Sequence, residues 1–132
     1  MRLLLDTHFL VWLAGGGATL LSRREQAAIE DAEAIAVSAV SLWELRIKWD
    51  RRTATGARKG PMDPQLILAW LNNNDLSIID LTAELAVATL DPPLAHSDPF
   101  DELLLTQAQQ AGYHLLTRDA KLASHPFAVV AE

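Results

Sequence analysis

A chain of 132 residues, half of them hydrophobic and 21% charged, suits one folded domain with one core. Lacking cysteine, it has neither disulfides nor zinc–thiolate sites, and its formal net charge of -6 argues against indiscriminate binding to nucleic acid. The apolar start, "MRLLLDTHFLVWLAGGG", is interrupted by Asp6 and His8, is too short to span a membrane and lacks a secretory leader's charged start, so no membrane association and a cytoplasmic location are expected.

Leu3 to Leu5 reads as a buried strand. From Thr7 to Ala14, Phe9, Trp12 and Leu13 recur at i, i+3 and i+4, which predicts a helix with one apolar face, ended by Gly15 to Gly17. Ser22 caps a helix running to about Ala32, with Glu25 completing a capping box. Ile35 to Ser38 is a second buried strand, and "AVSLWELRIKWDRR" a helix after it. "TATGARKGP" is a loop closed by Pro61, and Asp63 with Pro64 opens the helix of "DPQLILAWLNNN". "LSIIDL" is a third strand, Thr82 to Leu90 a helix, and "DPPLAHS" a loop. A helix from Pro99 to about Ala111 stops at Gly112. "YHLLT" is a fourth strand, Asp119 opens a short helical turn, and "FAVVA" is a candidate fifth strand. Strands alternating with helices predict an α/β fold, its sheet mostly parallel and covered on both faces.

Charge is unevenly spread. Arg46, Lys48, Arg51, Arg52, Arg58 and Lys59 are opposed within their own stretch only by Asp50, leaving +5 there and -11 elsewhere. The stretch reads either as a solvated helix end and loop or as a rim for phosphates.

Open parallel sheets bind ligands beyond the carboxyl ends of their strands. Asp6 follows the first strand and Asp119 the fourth, while Glu44 and Asp101 lie on helices expected to face the same edge. Each also has a structural explanation: Asp6 and Asp119 as caps, Glu44 as the i,i+4 partner of Lys48. In "HSDPFDELLL", capping is a sufficient role for Asp98, with Pro99 at the first helical position. Asp101 shares a stripe with Leu104, Leu105 and Ala108, so its carboxylate is directed toward the core edge. A helix N-terminus offsets only about 1 kcal/mol of the several that burying a lone carboxylate costs. A cation is required, and four carboxylates without cysteine suit Mg²⁺ or Mn²⁺.

"LLLDTHFLVWL", "AVSAVSLWELRIKW", "HSDPFDELLLTQAQQAG" and "LLTRD" together resemble the PIN domain, specifically the VapC toxins of bacterial type II toxin–antitoxin pairs. The resemblance covers most of the chain. It implies a single three-layer α/β/α domain over residues 1–132, with a mostly parallel sheet of four to five strands, and a metal-dependent endoribonuclease leaving 5′-phosphate and 3′-hydroxyl ends. Carried across, the family's acidic quartet falls on Asp6, Glu44, Asp101 and Asp119, with Asp98 a neighbouring acid and Thr7 and Thr117 supporting hydroxyls. It also implies an antitoxin of the VapB kind, an RNA substrate and a homodimer. Where relatives with "DPFD" often continue with arginine, this chain has Glu102, which removes a phosphate contact or ion pair.

His8 and His96 are read as supporting or packing groups, and Trp12, Trp43, Trp49 and Trp70 as core or partner-interface residues ahead of base stacking. Trp12, Leu20 and Leu21 are expected to offer a groove to a partner helix. Two alternatives stand beside the nuclease. A magnesium-dependent phosphotransfer or phosphatase domain fits poorly, because Asp6 has no adjacent acid, "DTH" is not Asp-x-Asp, "IAVS" ends without Asp and no Lys follows the final strand. A binding module that has lost its chemistry is opposed by the intact quartet.

Overall fold

The computed structural model describes residues 1–95 and 98–131. Among the described residues, five strands and six α-helices follow in order: β1 (Arg2–Leu5), α1 (Thr7–Ala14), α2 (Arg23–Asp31), β2 (Ala34–Ser38), α3 (Ala39–Asp50), α4 (Pro64–Asn73), β3 (Ser77–Ile79), α5 (Ala83–Ala86), α6 (Pro99–Ala111), β4 (His114–Leu116) and β5 (Ala128–Val129). The capping chemistry sets several boundaries. Asp6 accepts the N–H of Thr7, Ser22 and Glu25 form a reciprocal capping box, and Asp63 and Asp98 each precede a first-turn proline. Gly112 ends α6 at φ 75°, a left-handed conformation that glycine adopts without penalty.

All strand pairs are parallel, in the order β3-β2-β1-β4-β5. Alternation along each strand sends Leu3, Leu5, Val37 and Leu116 to one face, where they pack with Phe9, Leu10, Leu45, Ile67 and Leu71 of α1, α3 and α4. Leu4, Ala36 and Leu115 face the other way, against Leu104, Leu105 and Ala108 of α6. The result is the expected three-layer α/β/α architecture. The chain runs outward from β1 to β2 and β3, then returns to place β4 on β1's other side. Strand order therefore reverses between β1 and β4.

Four local expectations need correction. The helix expected over Thr82 to Leu90 stops at Ala86. Leu85 and Leu90 are both buried while Val87 is exposed, and a regular helix would point Leu85 and Leu90 about 140° apart, so the chain unwinds to bury both. Arg51 and Arg52 leave α3, and the loop after it is a small hairpin, with Thr53 N–H donating to the Ala57 carbonyl at 2.8 Å and Lys59 N–H to that of Arg51 at 3.0 Å. Gly60 lets this hairpin lie on α3, because a Cβ there would sit 2.6 Å from Trp49 Cα. A 3₁₀ turn at Ala18–Leu20 separates α1 from α2. It turns Leu21 into the core, leaving only Leu20 of that pair exposed.

One long-range pair ties the α2 side of the molecule to β4. Glu25, fully buried at the third position of α2, accepts Arg118 Nε at 2.7 Å and Nη2 at 2.5 Å, and Nη2 also donates to the Leu20 carbonyl at 2.7 Å. The Arg118 guanidinium holds the Glu25 carboxyl down at about 2, from an ordinary 4.5. A depressed carboxyl stabilises the fold above its unfolded pKa, and that contribution disappears as pH falls from 4.5 toward about 2. Glu25→Gln is expected to cost about 2 kcal/mol at neutral pH, because it weakens hydrogen bonds to a charged group that keeps some water. Urea unfolding across pH should show the gap between wild type and variant closing below about pH 4.5; a gap independent of pH down to about 2 refutes the assignment.

Gln107 of α6 is fully buried, and neither Oε1 nor Nε2 has a hydrogen-bond partner among the described residues. An apolar side chain of similar shape avoids that desolvation cost. Gln107→Met is expected to match or exceed wild-type stability, by up to about 1 kcal/mol. A thermal melt showing a clear loss overturns this reading of the amide.

Candidate active site

The carboxyl ends of β1 and β4 lie side by side where strand order reverses, the place at which open parallel sheets present ligand sites. A cavity of about 430 Å³ opens there. Five carboxylates line it, those of Asp6, Glu44, Asp98, Asp101 and Asp119, against two cations, Lys48 and Arg118.

Each acid arrives by a local rule. Asp6 follows β1 directly; its Oδ1 accepts the Thr7 N–H at 2.7 Å and its Oδ2 the Thr117 hydroxyl at 2.7 Å. Thr117 Oγ1 also accepts the Asp119 N–H at 3.0 Å, so one buried hydroxyl orders the acids that follow β1 and β4. Thr7 Oγ1 meets Ser41 Oγ at 3.0 Å, fixing the start of α1 against α3. Asp119 Oδ1 accepts the Lys121 N–H at 2.9 Å and so caps its own turn. Glu44 lies 3.8 Å from Lys48, one turn along α3. Asp98 Oδ1 accepts the N–H of Phe100 at 2.9 Å and that of Asp101 at 3.4 Å. Asp101 is half-buried at the cavity wall, above the buried Leu104, Leu105 and Ala108. Capping does not exhaust these side chains: an oxygen that accepts one N–H keeps a second lone pair.

Arg118 was not singled out by sequence reasoning. It lies between Thr117 and Asp119, and its guanidinium carbon sits 4.4 Å from the centre of the Trp12 ring while Glu25 holds its nitrogens. The available signal was a cation inside "LLTRD" with no acid near enough in sequence to neutralise it except Asp119. His8 lines the cavity and stacks on Trp12, the ring centroids 6.0 Å apart. His96 lies outside the described residues. Glu102 is exposed and does not line the cavity.

Of the basic stretch, only Lys48 reaches the cavity wall. Arg46 and Arg58 both pair with Asp50, at 2.8 and 3.5 Å, and Arg52 donates to the Gly56 carbonyl. Arg51, Arg52 and Lys59 are exposed on the hairpin. Trp12 and Leu20 form, with Val11 and Met62, part of a separate apolar groove of about 400 Å³. Trp12 is shared by the groove and the acidic cavity. Trp49 and Trp70 are half-buried, and Trp43 is exposed.

The donor set is all oxygen and strongly anionic, which suits a hard divalent cation. Among the described residues no three such side chains are already drawn into a closed ligand cage. The acids line an open hollow instead. Among the described residues, no helix is long and apolar enough to cross a membrane.

A family model for the PIN domain matches residues 3–128. The chain is 31% identical over 125 residues to Ribonuclease VapC22 of Mycobacterium tuberculosis (strain ATCC 25618 / H37Rv), covering 92% of this chain and 90% of that protein. The fold is similar to that in a toxin–antitoxin complex from Klebsiella pneumoniae, with TM-score 0.64, 20% identity and coverage of 98% and 97% of the two chains. It is also similar to that in VapBC2 from Rickettsia felis bound to a DNA fragment from their promoter, with TM-score 0.59, 16% identity and the same coverage. With the switch-point cavity and its acids in place, these matches put the chain in the PIN-domain family, within the VapC group.

Proposed function

We propose that this protein is a divalent-metal-dependent endoribonuclease and the toxin of a VapBC-type toxin–antitoxin pair. The observation that carries the reading is the gathering of five carboxylates around one cavity at the sheet's switch point, in a chain related to a ribonuclease. Asp6, Glu44, Asp101 and Asp119 would hold Mg²⁺ or Mn²⁺, with Asp98 at their side. Such an ion, when bound, withdraws charge from the scissile phosphate and lowers the pKa of an attacking water. Thr117 and Thr7 hold the first and last acids in register, which limits the reorganisation that accompanies reaction. Lys48 and Arg118 supply fixed positive charge in the cavity wall for a phosphate. Arg51, Arg52 and Lys59 extend that charge along the hairpin, and Arg46 and Arg58 can join it by exchanging from their exposed pairs with Asp50.

The partner follows from the same charge distribution. A free ribonuclease endangers its own cell, so a neighbouring inhibitor is expected. The apolar groove beside Trp12 and Leu20 suits an amphipathic helix, and the adjoining cavity suits a basic side chain beyond its end.

Asp6→Asn keeps shape and removes charge. Its activity on RNA is expected to fall by about 100-fold or more with the fold intact. Excess EDTA should have the same effect on the wild type, and Mn²⁺ should raise the melting temperature of the wild type more than that of Asp6→Asn. Full cleavage by Asp6→Asn or in EDTA overturns the mechanism. Expressed alone, the chain should arrest growth; expressed with the small protein encoded beside it, it should co-purify with that protein and cut no RNA. Unchanged growth and cleavage in the presence of that neighbour reject the toxin assignment while leaving the nuclease standing.

A further inference from the structure

A second hollow, of about 220 Å³, lies between α3 and α4 and is lined by Leu42, Trp43, Arg46, Pro64, Gln65 and Leu68. Trp43 is 52% exposed, on a helix where Ser41 and Leu45 are buried. Its ring meets that of Phe100, centroids 5.6 Å apart and planes tilted by 53°. Both aromatics adjoin cavity acids in the chain: Trp43 precedes Glu44, and Phe100 precedes Asp101. The pair thus stands where the two helices that carry those acids meet, although neither ring lines the anionic cavity itself.

We propose that Trp43, backed by Phe100, is a stacking shelf for a base of the RNA close to the scissile phosphate, a specificity-determining subsite of the nuclease read above, on which this inference rests. The hollow joins three chemistries that a single-stranded nucleotide uses together. The indole offers a face to the base, Arg46 a cation to a phosphate, and Gln65 a carboxamide to a base edge. Arg46 is held only by an exposed pair with Asp50, of little net strength in water, so it can exchange to a phosphate. A purely apolar occupant would desolvate Arg46 and Gln65 without replacing their hydrogen bonds. A nucleotide satisfies both.

The test compares wild type, Trp43→Ala and Trp43→Phe on a short single-stranded RNA that the wild type cuts, and on copies of it carrying one abasic nucleotide at successive positions. Affinity is read in EDTA by fluorescence anisotropy, and cleavage in Mn²⁺. Trp43→Ala is expected to weaken binding by about 10-fold, with Trp43→Phe recovering most of it. In the wild type, one abasic position near the cleaved bond should cost a similar factor, and in Trp43→Ala that same position should cost nothing further. Such position-specific loss of coupling is beyond a merely structural tryptophan. Wild-type cleavage combined with equal abasic penalties in wild type and Trp43→Ala overturns the shelf alone. A change in oligomeric state on Trp43→Ala, with RNA affinity unchanged, assigns the surface to a second copy of the chain and also overturns it. Absence of RNA cleavage by the wild type overturns the nuclease reading and the shelf with it.

Discussion

A single buried hydroxyl, Oγ1 of Thr117, ties together the two acids that follow β1 and β4. It donates to Asp6 Oδ2 at 2.7 Å and accepts the Asp119 N–H at 3.0 Å. The two strands it joins are sequence-distant but parallel neighbours, and Asp6 N–H also donates to the Leu116 carbonyl at 3.0 Å. The hydroxyl has one proton to give, and the Asp6 carboxylate is its acceptor. Donating to one acid and accepting from the backbone of the other, Thr117 resists rotation and holds the Asp6 carboxylate and the Asp119 backbone together. A valine there would preserve the packing and lose the orientation.

The acids repel one another, and the cations nearest them are partly committed. Arg118 faces the cavity, yet Glu25 takes much of its charge through a buried bidentate contact. Glu25 is in turn the capping-box residue that starts α2, so helix initiation, the Leu20 turn and the cavity wall share one guanidinium. Trp12 packs against that same guanidinium and also lines the apolar groove. The acidic cavity and the groove are therefore parts of one continuous surface, divided by an indole ring.

Periodicity and capping made most of the fold legible in the sequence. The boundaries of α1, α2, α4 and α6 follow from Asp6, Ser22, Asp63 with Pro64, and Asp98 with Pro99, each a local rule spanning a few residues. The parallel sheet follows from alternating strands and helices, and the switch point from where acids follow strands. What remained hidden depended on contacts distant in sequence. Glu25 and Arg118 are 93 residues apart, and the capping box alone gave Glu25 a sufficient role. Leu20 and Leu21 look alike as sequence, and only the 3₁₀ turn decides which one is buried. The short α5 reflects the competing burial of Leu85 and Leu90, which overrides local helix propensity.

The basic stretch illustrates why a charge count alone does not locate a counterion. Its excess of +5 equals in number the five carboxylates of the acidic edge. Yet Arg46 and Arg58 both turn to Asp50, and only Lys48 stands in the cavity wall. Exposed charges farther away are screened over about 8 Å at physiological ionic strength. Five carboxylates therefore share a cavity wall with Lys48 and Arg118 as its lysine and arginine among the described residues. On the proposed reading, a divalent ion would add positive charge there, and so would a guanidinium brought by a partner. Both draw on the same carboxylate oxygens, so occupancy by one disfavours the other. On that reading, such competition would let a protein partner inhibit the site without distorting the sheet that builds it.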